Sequence, residues 1–130
     1  MFDLFKIAKH KAMPGHYIST HYSISDKNPK VVEFLKKVNE QQAKIPANDR
    51  KGSSSFTALG YDAVYVAYNA LIKADSVEPE KLKKAIAETK NFDGVTGKIS
   101  LDSHRNAVKP VVIVQSTETD FSKFVTRIDP

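Results

Sequence analysis

Phe56-Thr57-Ala58-Leu59-Gly60-Tyr61-Asp62-Ala63-Val64-Tyr65-Val66-Ala67-Tyr68-Asn69-Ala70-Leu71-Ile72-Lys73-Ala74 is the strongest periodic stretch of the chain. At 3.6 residues per turn, Tyr61, Val64, Tyr65, Tyr68, Leu71 and Ile72 fall on one face, while Ala63, Val66, Ala67, Ala70 and Ala74 fall on the other. The spacing predicts a helix that is apolar on nearly every side, and such a helix is expected to be buried between layers. A single apolar stripe, the mark of a helix lying on a membrane surface, is not the pattern here.

Working outward toward the start, Ile45 to Ser55 is a run of turn chemistry and reads as a loop. Before it, Asn28 is placed to cap a helix that opens with Pro29 and runs to about Gln41. In that helix Val31, Val32, Phe34, Leu35 and Val38 form one stripe, and Lys30, Glu33, Lys36, Lys37 and Glu40 face water. His16 to Ile24, rich in aromatic and β-branched residues, predicts a strand. Asp3 to Lys11 has a helical rhythm that Pro14-Gly15 breaks.

Toward the end, Ser76 to Lys90 predicts a helix with Leu82, Ala85 and Ile86 inward. The period then becomes two. Gly94-Val95-Thr96-Gly97 turns the chain, Lys98 to Asp102 alternates as a strand, and Ser103 to Asn106 turns it again. Val108 to Gln115 reads as one strand covered on both faces, and Phe121 to Ile128 as its partner across a polar tip. The order is helix, strand, three helices, three strands, which is an α/β layer architecture whose last strands look made to complete a larger sheet.

The chain has 130 residues, Lys+Arg 20 against Asp+Glu 15, and no cysteine. That length suits one domain with its own core. Without cysteine there is no disulfide framework, thiolate zinc site or cysteine nucleophile. No apolar run reaches the roughly 18–20 residues that span a bilayer, and Met1 to Lys11 is too charged for a secretory signal. The net charge of +5 lies entirely in residues 1–51, yet its lysines are dispersed among acids and arginine occurs only at positions 50, 105 and 127. A surface that tracks phosphates needs clustered arginine with stacking aromatics, so a small basic domain binding nucleic acid weakly is the second reading.

Residues that could carry chemistry have plainer roles available. His16 and His21, five apart in one expected strand, point to opposite faces; His10 and His104 read as surface residues, so no metal site is expected. Ser53, Ser54, Ser55 and the hydroxyls of Ser19, Thr20 and Ser23 lie outside any nucleophile elbow and read as loop and cap residues. Glu78 and Glu80 complement a helix start. Gly94 to Gly97 is too short to cradle phosphates. Nucleophile, base and oxyanion donors do not assemble, so an enzyme is not expected. Tyr17, Tyr22, Phe56, Tyr61, Tyr65 and Tyr68 suit either a core or the wall of a small-molecule site.

Longer words narrow the choice. Gly60-Tyr61-Asp62-Ala63-Val64-Tyr65, Ala70-Leu71-Ile72-Lys73-Ala74-Asp75-Ser76, Pro79-Glu80-Lys81-Leu82-Lys83-Lys84-Ala85-Ile86 and Phe92-Asp93-Gly94-Val95-Thr96-Gly97-Lys98-Ile99-Ser100-Leu101-Asp102 follow one another in order. With Tyr17 to Ser23 and Asn28 to Phe34 before them, they make the chain resemble the closing segment of the extracytoplasmic solute-binding proteins that serve branched-chain amino acid ABC transporters.

The resemblance implies an α/β, partial type I periplasmic-binding-protein fold, made mostly of first-lobe helices and strands plus interlobe crossover strands. Residues 1–130 would be a single C-terminal fragment of a two-lobe receptor, with about 28–102 in the first lobe and 15–24 and 108–128 as crossover and second-lobe strands. It implies a non-catalytic component of an ABC importer, working with permease subunits in the periplasm or at the extracellular cell surface. The parent would hold a branched-chain amino acid or similar small solute in the interlobe cleft, without cofactor, and Phe56 and Tyr22 are the residues it places at the ligand. The resemblance implies a parent much longer than these 130 residues, with an export signal or lipoprotein start expected outside them. The fragment alone is therefore expected to bind weakly or not at all, and to cover its exposed apolar surface by forming a homo-oligomer.

Overall fold

The structure is a computed structural model that describes residue 7 and residues 12–130. The helix expected over Asp3 to Lys11, with His10, lies outside the described residues. Strand β1 (Tyr17–Thr20) is followed by helix α1 (Pro29–Gln42), a 3-10 turn (Ala47–Asp49), and helices α2 (Ser55–Ala74) and α3 (Pro79–Ala87). Five short strands complete the chain: β2 (Phe92–Gly94), β3 (Gly97–Leu101), β4 (Ala107–Val108), β5 (Val111–Gln115) and β6 (Lys123–Ile128). They form two three-stranded sheets, ordered β1-β5-β6 and β2-β3-β4, with every pairing antiparallel. This mixture of helix and sheet agrees with the expected α/β class.

Local chemistry sets the helix starts. Asn28 Oδ1 accepts from the Lys30 N–H at 3.0 Å, and Asp26 Oδ1 accepts from the Asn28 N–H at 2.9 Å, so α1 opens on two consecutive side-chain caps with Pro29 in its first turn. Ser54 caps α2 through the Thr57 N–H at 3.2 Å, and Thr57 Oγ1 answers by accepting from the Ser54 N–H at 3.3 Å. This reciprocal box satisfies two donors that a helix start otherwise leaves open. Helix α2 ends where Asp75 takes a left-handed φ of 44°.

The core gathers Tyr22, Val31, Phe34, Ala58 and Val95, flanked by Leu35, Val38 and Tyr61. Phe34 lies edge-on to Tyr22 at 5.7 Å and to Tyr61 at 5.1 Å, so α1 is pinned between the bend after β1 and the first half of α2. Residues distant in sequence are also tied by ions: Arg127 Nη2 of β6 meets the buried Asp26 Oδ2 at 2.5 Å, which anchors the last strand to the entry of α1. Ser116 Oγ donates to the Met13 carbonyl, closing the end of β5 over the segment before β1.

Several sequence expectations change. Helix α2 is not buried between layers: only Ala58, Asp62 and Ala70 are buried, and Phe56, Val64, Tyr65, Tyr68, Leu71 and Ile72 are exposed. The second face that its apolar residues call for has no neighbour among the described residues. Strand β1 stops at Thr20, because Tyr22 turns inward to join the core. The stretch from Val108 to Gln115 is two strands, since Pro110 has no N–H to donate and separates β4 from β5. In β5 the buried residues alternate, Val112 and Val114 on the covered face, so it is not equally enclosed on both sides. Helix α3 is confined to Pro79–Ala87, opening after Glu78, and β2 adds a strand where the sequence suggested only the approach to a turn.

Candidate functional site

A cleft lies where the start of α2 faces sheet β1-β5-β6. Its volume is about 270 Å³, and its lining includes Ile18 and Thr20 from β1, Tyr22 to Ile24 from the following bend, Ser53 to Ser55, Val114 of β5, and Asp120 to Ser122. The period of two in β1 decides what enters: Ile18 and Thr20 share one face of the strand, while Tyr17 and Ser19 lie on the other. Register fixes the floor, because Ile18 pairs directly with Val114.

Two hydroxyl pairs bridge the walls. Thr20 Oγ1 and Ser55 Oγ share a hydrogen bond of 2.9 Å, and the Tyr22 hydroxyl and Ser53 Oγ share another of 2.9 Å. Together they lock the loop before α2 onto the strand and bend opposite. The α2 start therefore reaches the cleft with its dipole's positive end and a row of hydroxyls. On the far rim, Asp120 Oδ1 accepts from the Ser122 N–H at 3.0 Å and from Thr117 Oγ1 at 2.9 Å. Hydrogen bonding from Ser122, with Thr117 adding to it, holds the Asp120 carboxyl below its ordinary range against the opposing effect of burial. The cleft thus sets an anionic rim across from a helix start, with Ile18, Ile24, Val114 and Phe121 as apolar surface between them.

Of the two residues expected at a ligand, Tyr22 is buried in the core and lines the cleft with its hydroxyl on Ser53. Burial raises the phenol's pKa, and the Ser53 hydrogen bond works in the opposite direction. Phe56 follows Ser55 in the first turn of α2 and is 86% exposed. The structure does not bring the two rings together: Tyr22 is part of the lining and Phe56 stands beyond it. The sequence reading gave Ser53 to Ser55 only loop and cap duties. Ser54 is the cap, while Ser53 and Ser55 also hold the cleft walls. Thr20, Asp120 and Ser122 carried no local signal, since they reach the cleft only through strand register and the turn between β5 and β6.

The other candidates keep to structural positions. His16 precedes β1 and shares a 3.0 Å hydrogen bond with the Ala12 carbonyl; His21 follows the strand. The opposite-face reading of these two assumed a longer strand than the one that forms. Among the described residues, no group of three or more His, Asp or Glu is arranged to hold a metal. Exposed lysines alternate with acids, as in Lys30–Asp93 at 2.9 Å and Lys37–Glu33 at 2.8 Å. Among the described residues no helix is long and apolar enough to cross a membrane.

The periplasmic binding protein family profile matches residues 3–127. No curated protein matches the chain. Among solved structures, a leucine-binding protein, LivK, of Thermotoga maritima is 30% identical with a TM-score of 0.76, covering 98% of this chain and 34% of its own. An ABC-type branched-chain amino acid transporter protein of Rhodopseudomonas palustris is 26% identical with a TM-score of 0.73, covering 96% and 33%. LivJ of Streptococcus pneumoniae, a branched-chain amino acid transporter substrate-binding protein in complex with isoleucine, is 25% identical with a TM-score of 0.71, covering 100% and 35%. The chain spans about a third of the length of these structures. It belongs to the periplasmic binding protein family and carries part of the type I periplasmic-binding fold.

Proposed function

We propose that this chain is part of the non-catalytic, solute-binding component of an ABC importer, and that the parent receptor takes a branched-chain amino acid or similar small solute between two lobes. The observation that carries this reading is the cleft at the α2 start. Its hydroxyls and helix end suit a solute carboxylate, Asp120 on the opposite rim suits an ammonium group, and Ile18, Ile24 and Val114 suit an aliphatic side chain. Phe56 and Tyr22 serve as apolar wall and buried support. Residues 28–102 belong to the first lobe, and 15–24 and 108–128 supply crossover and second-lobe strands. The parent acts outside the cytoplasm and delivers its solute to permease subunits.

Affinity in such a cleft comes from two surfaces excluding water together, so one side alone holds its solute weakly. The test is amide chemical-shift mapping of the full chain with leucine, isoleucine or valine. Dissociation constants weaker than about 1 mM are expected, with shifts clustered at Thr20, Tyr22, Ser53 to Phe56 and Asp120. Shifts clustered elsewhere, or a dissociation constant of the isolated chain far tighter than about 1 mM, would overturn the reading.

A further inference from the structure

The described residues divide into two bodies that share no strand. One is sheet β1-β5-β6; the other is α1, α2 and α3 with sheet β2-β3-β4. The chain passes between them twice, through residues 21–28 after β1 and through Lys109-Pro110 between β4 and β5. One cross-strand row of the first sheet meets the second body: Thr20 pairs with Val112, and Val112 pairs with Arg127. Directly opposite residues of antiparallel strands send their side chains to the same face. At one end of the row Thr20 Oγ1 shares a hydrogen bond of 2.9 Å with Ser55 Oγ, in the middle Val112 is fully buried, and at the other end Arg127 Nη2 donates to Asp26 Oδ2 at 2.5 Å. The two ends differ in kind. The Arg127 and Asp26 side chains keep 19% and 8% of their surfaces exposed, and the bond between them joins two full charges. Such a bond is roughly twice as strong as a neutral one, and breaking it strands a buried ion. Thr20–Ser55 joins two neutral hydroxyls on the cleft wall, where water or a solute can take either partner's place. Arg127 also sits at both crossings. Asp26 lies in the first and holds the Asn28 N–H through its other oxygen at 2.9 Å, while Arg127 Nη1 lies 3.0 Å from where a Cβ on Gly97 would stand, beside the Pro110 ring of the second.

We infer that Arg127 and Asp26 are positioning residues of the cleft: their ion pair is the fixed end of a hinge line along the Thr20–Val112–Arg127 row, and Thr20–Ser55 is its releasable end. With the hydroxyl tie open, the sheet turns about the braced end, and the separation of Ile18 and Val114 on one wall from the α2 start on the other changes along a single path. Without the brace the crossings define no axis, because residues 21–28 contain neither helix nor strand and absorb changes of φ and ψ. The role of the cleft rests on the solute-binding reading, whereas the brace is measured without solute, so the two can fail separately.

The absence of cysteine lets two labels report the angle between the bodies. Lys123→Cys in β6 and Lys73→Cys in the last turn of α2, both at exposed positions, carry nitroxides, and pulsed electron spin resonance reads the spread of distances between them. At about 3.3 Å per residue Lys123 stands about 13 Å from Arg127, so a rotation of about 15° moves it by about 3 Å. The doubly labelled chain should give one narrow peak. Ser55→Ala should shift that peak and leave it narrow, whereas Arg127→Gln should broaden it by about 3 Å or more, and Arg127→Lys, which keeps a charge for Asp26, should restore most of the sharpness. Asp26→Asn keeps an acceptor for the Asn28 N–H; it should broaden the peak as Arg127→Gln does, and it serves if that variant does not fold. Lys30→Gln, which breaks the exposed 2.9 Å pair with Asp93 inside the second body, should change nothing. A melting temperature lowered by Arg127→Gln with the peak as sharp as before would make the pair a stabilising contact alone and overturn the inference. Equal broadening by Lys30→Gln, or broadening by Ser55→Ala as large as by Arg127→Gln, would overturn it too.

Discussion

Asp62, buried in the middle of α2, holds Thr96 at the tip of the β2–β3 hairpin through both its backbone and its side chain. Asp62 Oδ2 accepts from the Thr96 N–H at 2.8 Å and from Thr96 Oγ1 at 2.7 Å, while Oδ1 accepts from the Val95 N–H at 2.7 Å. Lys109 Nζ donates to Thr96 Oγ1 at 3.1 Å from the far side. One carboxylate thus joins the long helix, the hairpin and the segment leading into β5. Asp62→Asn keeps the size but turns an NH2 toward donors, leaving buried groups unpaired. A loss of about 2–4 kcal/mol in urea unfolding is expected, against about 1–2 kcal/mol for Thr96→Val. Equal losses for the two would argue that Oγ1, not the pair of backbone N–H groups, dominates the link.

The same link dictates the glycines of the hairpin. A Cβ on Gly94 would stand 2.8 Å from the Asp62 carboxylate, and one on Gly97 would stand 2.7 Å from the Pro110 ring on a backbone whose φ is +106°. Gly94→Ala therefore has to push Asp62 off its donors, and Gly97→Ala adds conformational strain to a clash. Each should cost about 2 kcal/mol or more, whereas Gly52→Ala, with open space around it, should stay within about 0.5 kcal/mol. Thermal melts of the three variants decide the matter; indifference at Gly94 would mean that the close approach to Asp62 does not constrain the turn.

What could be read from the sequence was local. The Asn28–Pro29 start of α1 and the Gly94–Gly97 turn each depend on residues within a few positions, and both stand where the sequence puts them. The periodicity of α2 identified the helix but not its neighbours: a pattern reports which side chains avoid water, not whether this chain supplies the cover. Strand β2 was illegible because Phe92-Asp93-Gly94 has turn-like composition and is held by pairing with β3 and by Asp62. The cleft was half legible. Tyr22 could be named from its family position, but Thr20, Ser53 and Ser55 meet across 31 to 35 residues, and no spacing rule foretells that closure.

Acid should weaken the fold through His21. Burial first, and the Lys109 charge second, hold the His21 imidazole below its ordinary value of 6.5. Above that pH both folded and unfolded chains are neutral at this residue, and it contributes nothing. As pH falls through 6.5 the unfolded chain takes up the proton more readily, so stability declines until the folded value is reached and then levels off. Unfolding free energy measured between pH 7.5 and 5 should fall with acidification, and His21→Gln should flatten that slope. Asp102 and Asp120, both held below the ordinary carboxylate value of 3.8, lose their stabilising effect only as pH drops further, so the two windows separate. An unchanged slope in His21→Gln would assign the decline to another group.

Phe56 allows binding and folding to be told apart. Its ring is 86% exposed and absent from the core, so Phe56→Ala should leave the stability of the isolated chain within about 0.5 kcal/mol. Tyr22 is the reverse case: it is buried against Phe34, and Tyr22→Ala should cost about 3–5 kcal/mol, while Tyr22→Phe loses only the hydroxyl bond to Ser53, about 1 kcal/mol. If Phe56 forms an apolar wall once both lobes are present, its truncation in the complete receptor should weaken solute binding roughly tenfold or more, equivalent to about 1.4 kcal/mol, without shifting the melting temperature of the unliganded protein. Calorimetric titration with isoleucine alongside melts of the same samples reads both quantities. A large stability loss with unchanged affinity would make Phe56 a packing residue of the absent lobe surface and remove it from the site.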